Sequence, residues 1–151
     1  MDIRRLVEPT STEVDDLAQL FDRYRVHYGE PSDITGTATW LADQIGGRRL
    51  AAFVCQDAGS VIGFATSVEL PASLRLETFW QVRDLYVDPG HRRRGVARAL
   101  LEAVRAAAIS AGAIRLSVLT EVDNVAALRL YEEAGFKAVE GFVSLALPTD
   151  T

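Results

Sequence analysis

An apolar strand that runs into a basic, glycine-containing loop and then into a helix fits only a few folds, and Leu85 to Leu101 reads that way. Leu85-Tyr86-Val87 ends a buried strand. Pro89 and Gly90 stop it, because one lacks an N–H and the other favours turn geometry. Beyond Arg92-Arg93-Arg94-Gly95, the residues Val96, Leu100, Ala103, Val104 and Ala107 fall at helical spacing and form a stripe that can lie on a sheet. The first turn of such a helix presents free N–H groups and a positive dipole end. With guanidinium groups beside it, that end suits a pyrophosphate-like anion. Gly95 has no side chain and Ala97 almost none, so a phosphate can come close to the backbone there.

Charge narrows the anion further. The 151 residues carry a formal net charge of −5, which disfavours nucleic acid and anionic membranes as partners. Arg92 to Arg94 are a local basic spot on an acidic body, better matched to a small polyanion than to a duplex. Cys55 is the sole cysteine, so neither an intramolecular disulfide nor a multi-cysteine metal site is available, and no metal is expected. It reads as a small buried residue in the run Leu50 to Cys55. Met1-Asp2-Ile3-Arg4-Arg5 opens no secretory h-region, and no stretch is long and apolar enough to span a membrane. A cytoplasmic location is the expectation. No Gly-Lys-Ser/Thr follows a glycine-rich turn, which excludes a P-loop nucleotide site.

Taken in order, Ile3 to Val7 predicts a short strand, and Thr10 with Glu13 a capping box. Val14, Leu17, Phe21, Tyr24 and Tyr28 then mark an amphipathic helix closed by Gly29 and Pro31. A second helix starts at Ser32-Asp33 and carries Ile34, Ala38, Leu41 and Ile45; Gly36 weakens it, and Gly46-Gly47 ends it. Leu50–Cys55 and Val61–Leu70 read as a hairpin, with Pro71 breaking the second strand. Thr78–Val87 leads into the central stretch, whose helix stops at Gly112. Ile114, Leu116 and Val118 form another strand, Asn124–Ala134 a helix, and Phe136–Leu147 one or two last strands turning at Gly141. With no linker or repeat, residues 1–151 are expected to form one domain of α/β or α+β layer type.

Two sets of residues carry a resemblance. Arg92-x-x-Gly95-x-Ala97 after Leu-Tyr-Val resembles the acyl-CoA pyrophosphate loop of the GCN5-related N-acetyltransferase (GNAT) superfamily. Asn124-x-x-Ala127-x-x-Leu130-Tyr131-x-x-x-Gly135-Phe136, one strand later, is similar to its second signature. The resemblance implies the GNAT fold, a mixed, mostly antiparallel sheet of about six to seven strands flanked by about four helices. It also implies acetyl-CoA as co-substrate and direct attack by an amine in a ternary complex.

In that setting the backbone of Leu85, Tyr86 and Val87 would pair with pantetheine, and amides from Arg92, Arg93, Arg94, Gly95, Val96 and Ala97 would hold the pyrophosphate. Arg93, Arg94 and Arg98 would add phosphate contacts or be solvated surface charges. Asn124 would cap its helix or meet the pantetheine amides. Tyr131 is core by spacing alone and, by the resemblance, the group facing the leaving sulfur. A phenol of pKa about 10 protonating a thiolate whose acid is near 8.5 runs uphill by roughly 2 kcal/mol, so a hydrogen bond is expected rather than full transfer.

The acceptor amine must shed a proton. With a pKa near ~10.4 only about one in 10³ molecules is neutral at pH 7, a cost of roughly 4–5 kcal/mol. Some GNAT members carry Glu or His where this chain has Gln81 or Arg83, neither of which takes a proton readily. A water held by Gln81 or by backbone carbonyls is expected to act, with Glu69, Glu77, Asp84, Glu30 and His27 as further candidates. The resemblance puts the acceptor, a small-molecule amine, near Tyr28 to Asp33, with Tyr28 and Glu30 in contact. Arg83 would meet an acceptor carboxylate if the acceptor is an amino acid. A homodimer through the C-terminal strands is possible, and the rival classes are a catalytically silent CoA-binding protein and a nucleic-acid module.

Overall fold

In the computed structural model residues 1–150 are described; Thr151, inside the expected single domain, lies outside them. The chain divides into two compact units, residues 1–119 and 120–151, each described by itself below.

In the first unit the elements run β1 (Asp2–Leu6), α1 (Ser11–His27), α2 (Ile34–Gly46), β2 (Ala51–Asp57), β3 (Ser60–Ala72), β4 (Glu77–Val87), α3 (Val96–Ser110) and β5 (Leu116–Val118). They form one sheet of spatial order β1-β2-β3-β4-β5. Neighbours are antiparallel except β4 and β5, which run parallel through Trp80↔Leu116, Gln81↔Ser117 and Val82↔Val118. The crossover between the parallel pair is α3, as a parallel connection requires. Leu17, Leu20 and Leu41 of α1 and α2 are fully buried with Phe64 on one face of the sheet. On the other face α3 lies against Gly63, where a Cβ would come within 2.8 Å of Val96 Cγ1. That close approach is the reason a glycine stands in mid-strand.

Two of the three α-helix starts in this unit, those of α1 and α2, follow the local chemistry. Thr10 Oγ1 accepts from the Glu13 N–H at 3.2 Å while Glu13 Oε1 accepts from the Thr10 N–H at 3.0 Å, the reciprocal box expected. Asp33 Oδ1 accepts from the Gly36 N–H at 2.9 Å and caps α2. Gly36 is therefore not a weak point in that helix. A Cβ there would meet Asp33 Oδ2 at 2.2 Å, so the glycine is what lets the cap close.

Two expectations fail. Pro71 does not break β3, which runs to Ala72 and pairs Pro71 with Thr78 of β4. β2 has already ended opposite Ser67, so Pro71 has a strand on one side only and its missing N–H costs no ladder bond there. The sheet has five strands rather than six to seven, because Phe136–Leu147 forms no strand. In the second unit the chain makes α4 (Val125–Glu133) and then continues without regular structure. Strand-like alternation is necessary but not sufficient; without a neighbour to receive its N–H and C=O groups the segment has no ladder to join.

Candidate active site

The register of β4 shapes the site. Its pairing with β3 runs from Ala72↔Glu77 to Gly63↔Val87, with a bulge where Thr66 faces Asp84 and Ser67 faces Val82. Arg83 is the extra residue. On the other edge the β5 ladder stops at Val82↔Val118, so Asp84 to Val87 have a strand on one side only among the described residues. That stretch, which includes Leu85, Tyr86 and Val87, offers an unpaired strand edge.

The edge leads into the basic loop. A 3-10 turn at Pro89–His91 redirects the chain, and Asp88 fixes it by accepting from Arg23 Nη1 at 3.2 Å and sitting 2.9 Å from His91 Nδ1. Arg92 donates from Nε to the Val87 carbonyl at 3.3 Å and lies 5.7 Å from the Tyr86 ring centre. Arg94 is paired with Asp57 at 3.1 Å, whereas Arg93, exposed, turns the chain at φ 63°. Gly95 follows at φ 76°, a left-handed conformation that glycine takes without strain. A Cβ on Gly95 would meet no protein atom within 4 Å. No side chain caps α3, which leaves the first-turn N–H groups from Val96, Ala97 and Arg98 to a ligand or water. Asp57 and Asp88, which hold the loop in shape, carry no local sequence signal.

Gln81 and Arg83 occupy each other: Arg83 Nη1 donates to Gln81 Oε1 at 2.7 Å, and Arg83 is exposed. A carboxylate given less weight in the sequence stands closer to a cavity. Asp84 Oδ1 accepts from the Tyr24 hydroxyl at 2.7 Å and Oδ2 from the Thr66 hydroxyl at 2.5 Å. It lines a cavity of about 470 Å³ with Phe21, Tyr24, Arg25, Asp33 and Trp40, among others. Tyr28 and Glu30, expected at the acceptor, do not line it; Tyr28 is the C-cap of α1 and 56% exposed, and Tyr24, one turn earlier, lines the cavity. Glu69 lines a separate cavity of about 520 Å³ beside Arg5, Arg48 and Arg49. His27 packs edge-on to Tyr28 at 5.1 Å, and Glu77 is exposed.

Below that cavity, Asp22 is buried and accepts from Ser32 Oγ at 2.6 Å, the Asp33 N–H at 2.7 Å and Arg25 Nη1 at 3.2 Å. The Ser32 hydrogen bond, then that from Asp33, then the Arg25 charge, hold its carboxyl below the ordinary value. Asp22 fixes the α1–α2 connection and was not legible as more than one acid in a polar stretch.

In the second unit, Asn124 Oδ1 accepts from the Ala127 N–H at 3.2 Å and caps α4. Its NH₂ donors are left for another partner. Tyr131 is 9% exposed and packs edge-on to Phe136 at 5.6 Å, the core contact its spacing implies.

An unpaired strand edge, a basic left-handed turn and an uncapped helix start thus adjoin one another, and comparison with known sequences gives the family. The chain belongs to the Acetyltransferase (GNAT) family, whose sequence profile matches residues 14–136. It is an acetyltransferase. It is similar to the uncharacterized N-acetyltransferase YhfO of Bacillus subtilis (strain 168), 30% identical over 131 residues that cover 87% of this chain and 88% of that one. A crystal structure of a probable acetyltransferase superposes with a TM-score of 0.90 at 29% identity, covering 100% of this chain and 99% of that one. An aminoglycoside acetyltransferase from an uncultured soil metagenomic sample, solved with sisomicin, shares the fold with a TM-score of 0.82 at 20% identity, over 99% and 96% of the two chains. Among the described residues no helix is long and apolar enough to cross a membrane, and no cluster of three or more metal-ligating side chains occurs.

Proposed function

We propose that the chain, acting as one catalytic domain in the cytoplasm, moves the acetyl group of acetyl-CoA to a primary amine of a small molecule. The acceptor class is polyamine-, amino-acid- or aminoglycoside-like, and the amine attacks the thioester directly in a ternary complex. The observation that carries this is the unpaired β4 edge running into the uncapped start of α3. Leu85, Tyr86 and Val87 extend the sheet onto pantetheine; the amides of Arg92 to Ala97 take the diphosphate, helped by Arg93, Arg94 and Arg98. The loop residues fit the group: the space over Gly95 is open and Arg93, two residues before it, is exposed.

Tyr131 donates a hydrogen bond to the sulfur as the C–S bond breaks, and the amine's proton leaves through a water. With Gln81 Oε1 already accepting from Arg83, backbone carbonyls of the open edge are the better holders of that water. Asn124, its oxygen spent on the cap, offers its NH₂ to the pantetheine arm.

A small-molecule acceptor is supported by the aminoglycoside acetyltransferases that share the fold. The absence of Glu or His at positions 81 and 83 favours one second reading, a silent CoA-binding regulatory protein. A protein or peptide acceptor is the other alternative. Calorimetric titration of acetyl-CoA followed by a free-thiol assay across an amine panel tests all three. Binding with thiol release is expected; binding without release on any amine or peptide leaves the silent reading, and no binding removes both.

A further inference from the structure

The cavity between α1, α2 and β4 has a composition that says what it holds. Three of its walls are aromatic, Phe21, Tyr24 and Trp40, with Phe21 tilted against Trp40 at 6.2 Å and set edge-on to Tyr24 at 5.4 Å. Trp40 is 48% exposed, an indole left half in water at the rim. Two carboxylates line the same space, Asp33 and Asp84, and the one cation among the lining residues is Arg25. Arg25 is already engaged, by Asp22 at 3.2 Å and by the Pro31 carbonyl at 3.1 Å. Asp33 spends one oxygen on the Gly36 N–H, whereas Asp84 is gripped by two hydroxyls and keeps lone pairs for a further donor.

We infer that this cavity selects an acceptor that is cationic and free of carboxylate, with Asp84 as the specificity-determining residue. This rests on the acetyltransferase reading above and names its substrate class. An ammonium gains from the aromatic faces and from an unneutralised carboxylate together. A carboxylate on the ligand would find no uncommitted cation and would face Asp33 and Asp84. Arg83, which the sequence offered as a carboxylate partner, does not line the cavity and is held by Gln81. A volume of about 470 Å³ suits a small flexible diamine or one ring of a larger polyamine. Asp84 also lies on the open edge, next to Leu85 to Val87, so an acceptor held here has its free end near the proposed thioester.

Lysine and 1,5-diaminopentane differ by one carboxylate and so isolate the claim. Each is titrated calorimetrically into the protein, alone and saturated with CoA. The diamine is expected to bind at least tenfold more tightly than lysine, with Asp84→Asn removing at least tenfold of that affinity. Trp40→Ala, at an exposed position, weakens diamine binding at least threefold, and Trp40→Phe restores it. Equal or tighter lysine binding overturns the inference, as does diamine affinity unchanged by Trp40→Ala or by folded Asp84→Asn. Failure of acetyl-CoA to bind, by contrast, removes the parent reading while the diamine titration without CoA still reports on the cavity.

Discussion

Asp22 illustrates how one side chain sets a site it does not enter. Four hydrogen bonds, from Arg25, Ser32, Asp33 and Thr37, converge on a carboxylate with 3% of its surface exposed, and they come from both sides of the α1–α2 connection. Its folded pKa is lowered, so the linkage runs in one direction. The carboxylate stabilises the fold above its ordinary value of 3.8, and the contribution drains away as pH falls through the lower folded value. Glu13 at the α1 cap is shifted the same way, first by the Thr10 backbone hydrogen bond. Asp22→Asn should therefore lower the urea midpoint at pH 7, and the gap to the parent should be narrower at pH 3. A gap that persists undiminished at pH 3 would show that shape, not charge, matters at Asp22. None of this was visible in the sequence, because the partners Ser32 and Asp33 are ten and eleven residues away and only the fold brings them together.

At the scale of elements, the strand–loop–helix from Leu85 onward was legible because all its determinants are local: a turn pair, a glycine and a helical stripe. The cavity between α1, α2 and β4 was not, since Tyr24, Trp40 and Asp84 sit on three elements and each reads alone as core, surface or stray charge. Pro71 misled for a related reason, as whether a strand tolerates proline depends on its neighbours rather than its own residues. The loop gives the cleanest test of the cofactor site. Gly95→Ala forces a methyl into a left-handed backbone, costing about 1–2 kcal/mol of stability, while touching no protein atom. Any loss in acetyl-CoA affinity beyond that strain reports the phosphate. The KM for acetyl-CoA should rise at least about tenfold, with the amine KM little changed. For α4 the expectation is opposite in kind. Tyr131→Phe keeps the ring against Phe136 but deletes the hydroxyl. It should lower kcat by about 10–100-fold and leave acetyl-CoA affinity intact. Steady-state kinetics beside calorimetry separate the two, and an unchanged kcat would take Tyr131 out of the chemistry.

For the whole molecule the unsettled surface is the C-terminal segment. Phe142, Val143, Leu145 and Leu147 are each 79–87% exposed, and Val139 is 77% exposed. Full burial of such a side chain gains about 1.5–3 kcal/mol, so five of them in nine residues are a large unspent driving force, beyond what scattered surface residues explain. The same stretch alternates as a strand would, yet it forms no strand, while among the described residues β1 and β5 each pair with one strand only. A second copy of this chain supplies both missing things at once, an open edge and a matching apolar strand, which a generic partner would supply only by coincidence. The homodimer expected through this region is thus proposed with extended rather than pre-formed strands. Sedimentation at micromolar concentration should return a dimer, and Phe142→Glu with Leu145→Glu should return a monomer whose thermal unfolding remains cooperative. A parent chain that stays monomeric to about 100 μM would dispose of the dimer, because an interface driven by this much apolar burial would have formed well below that concentration.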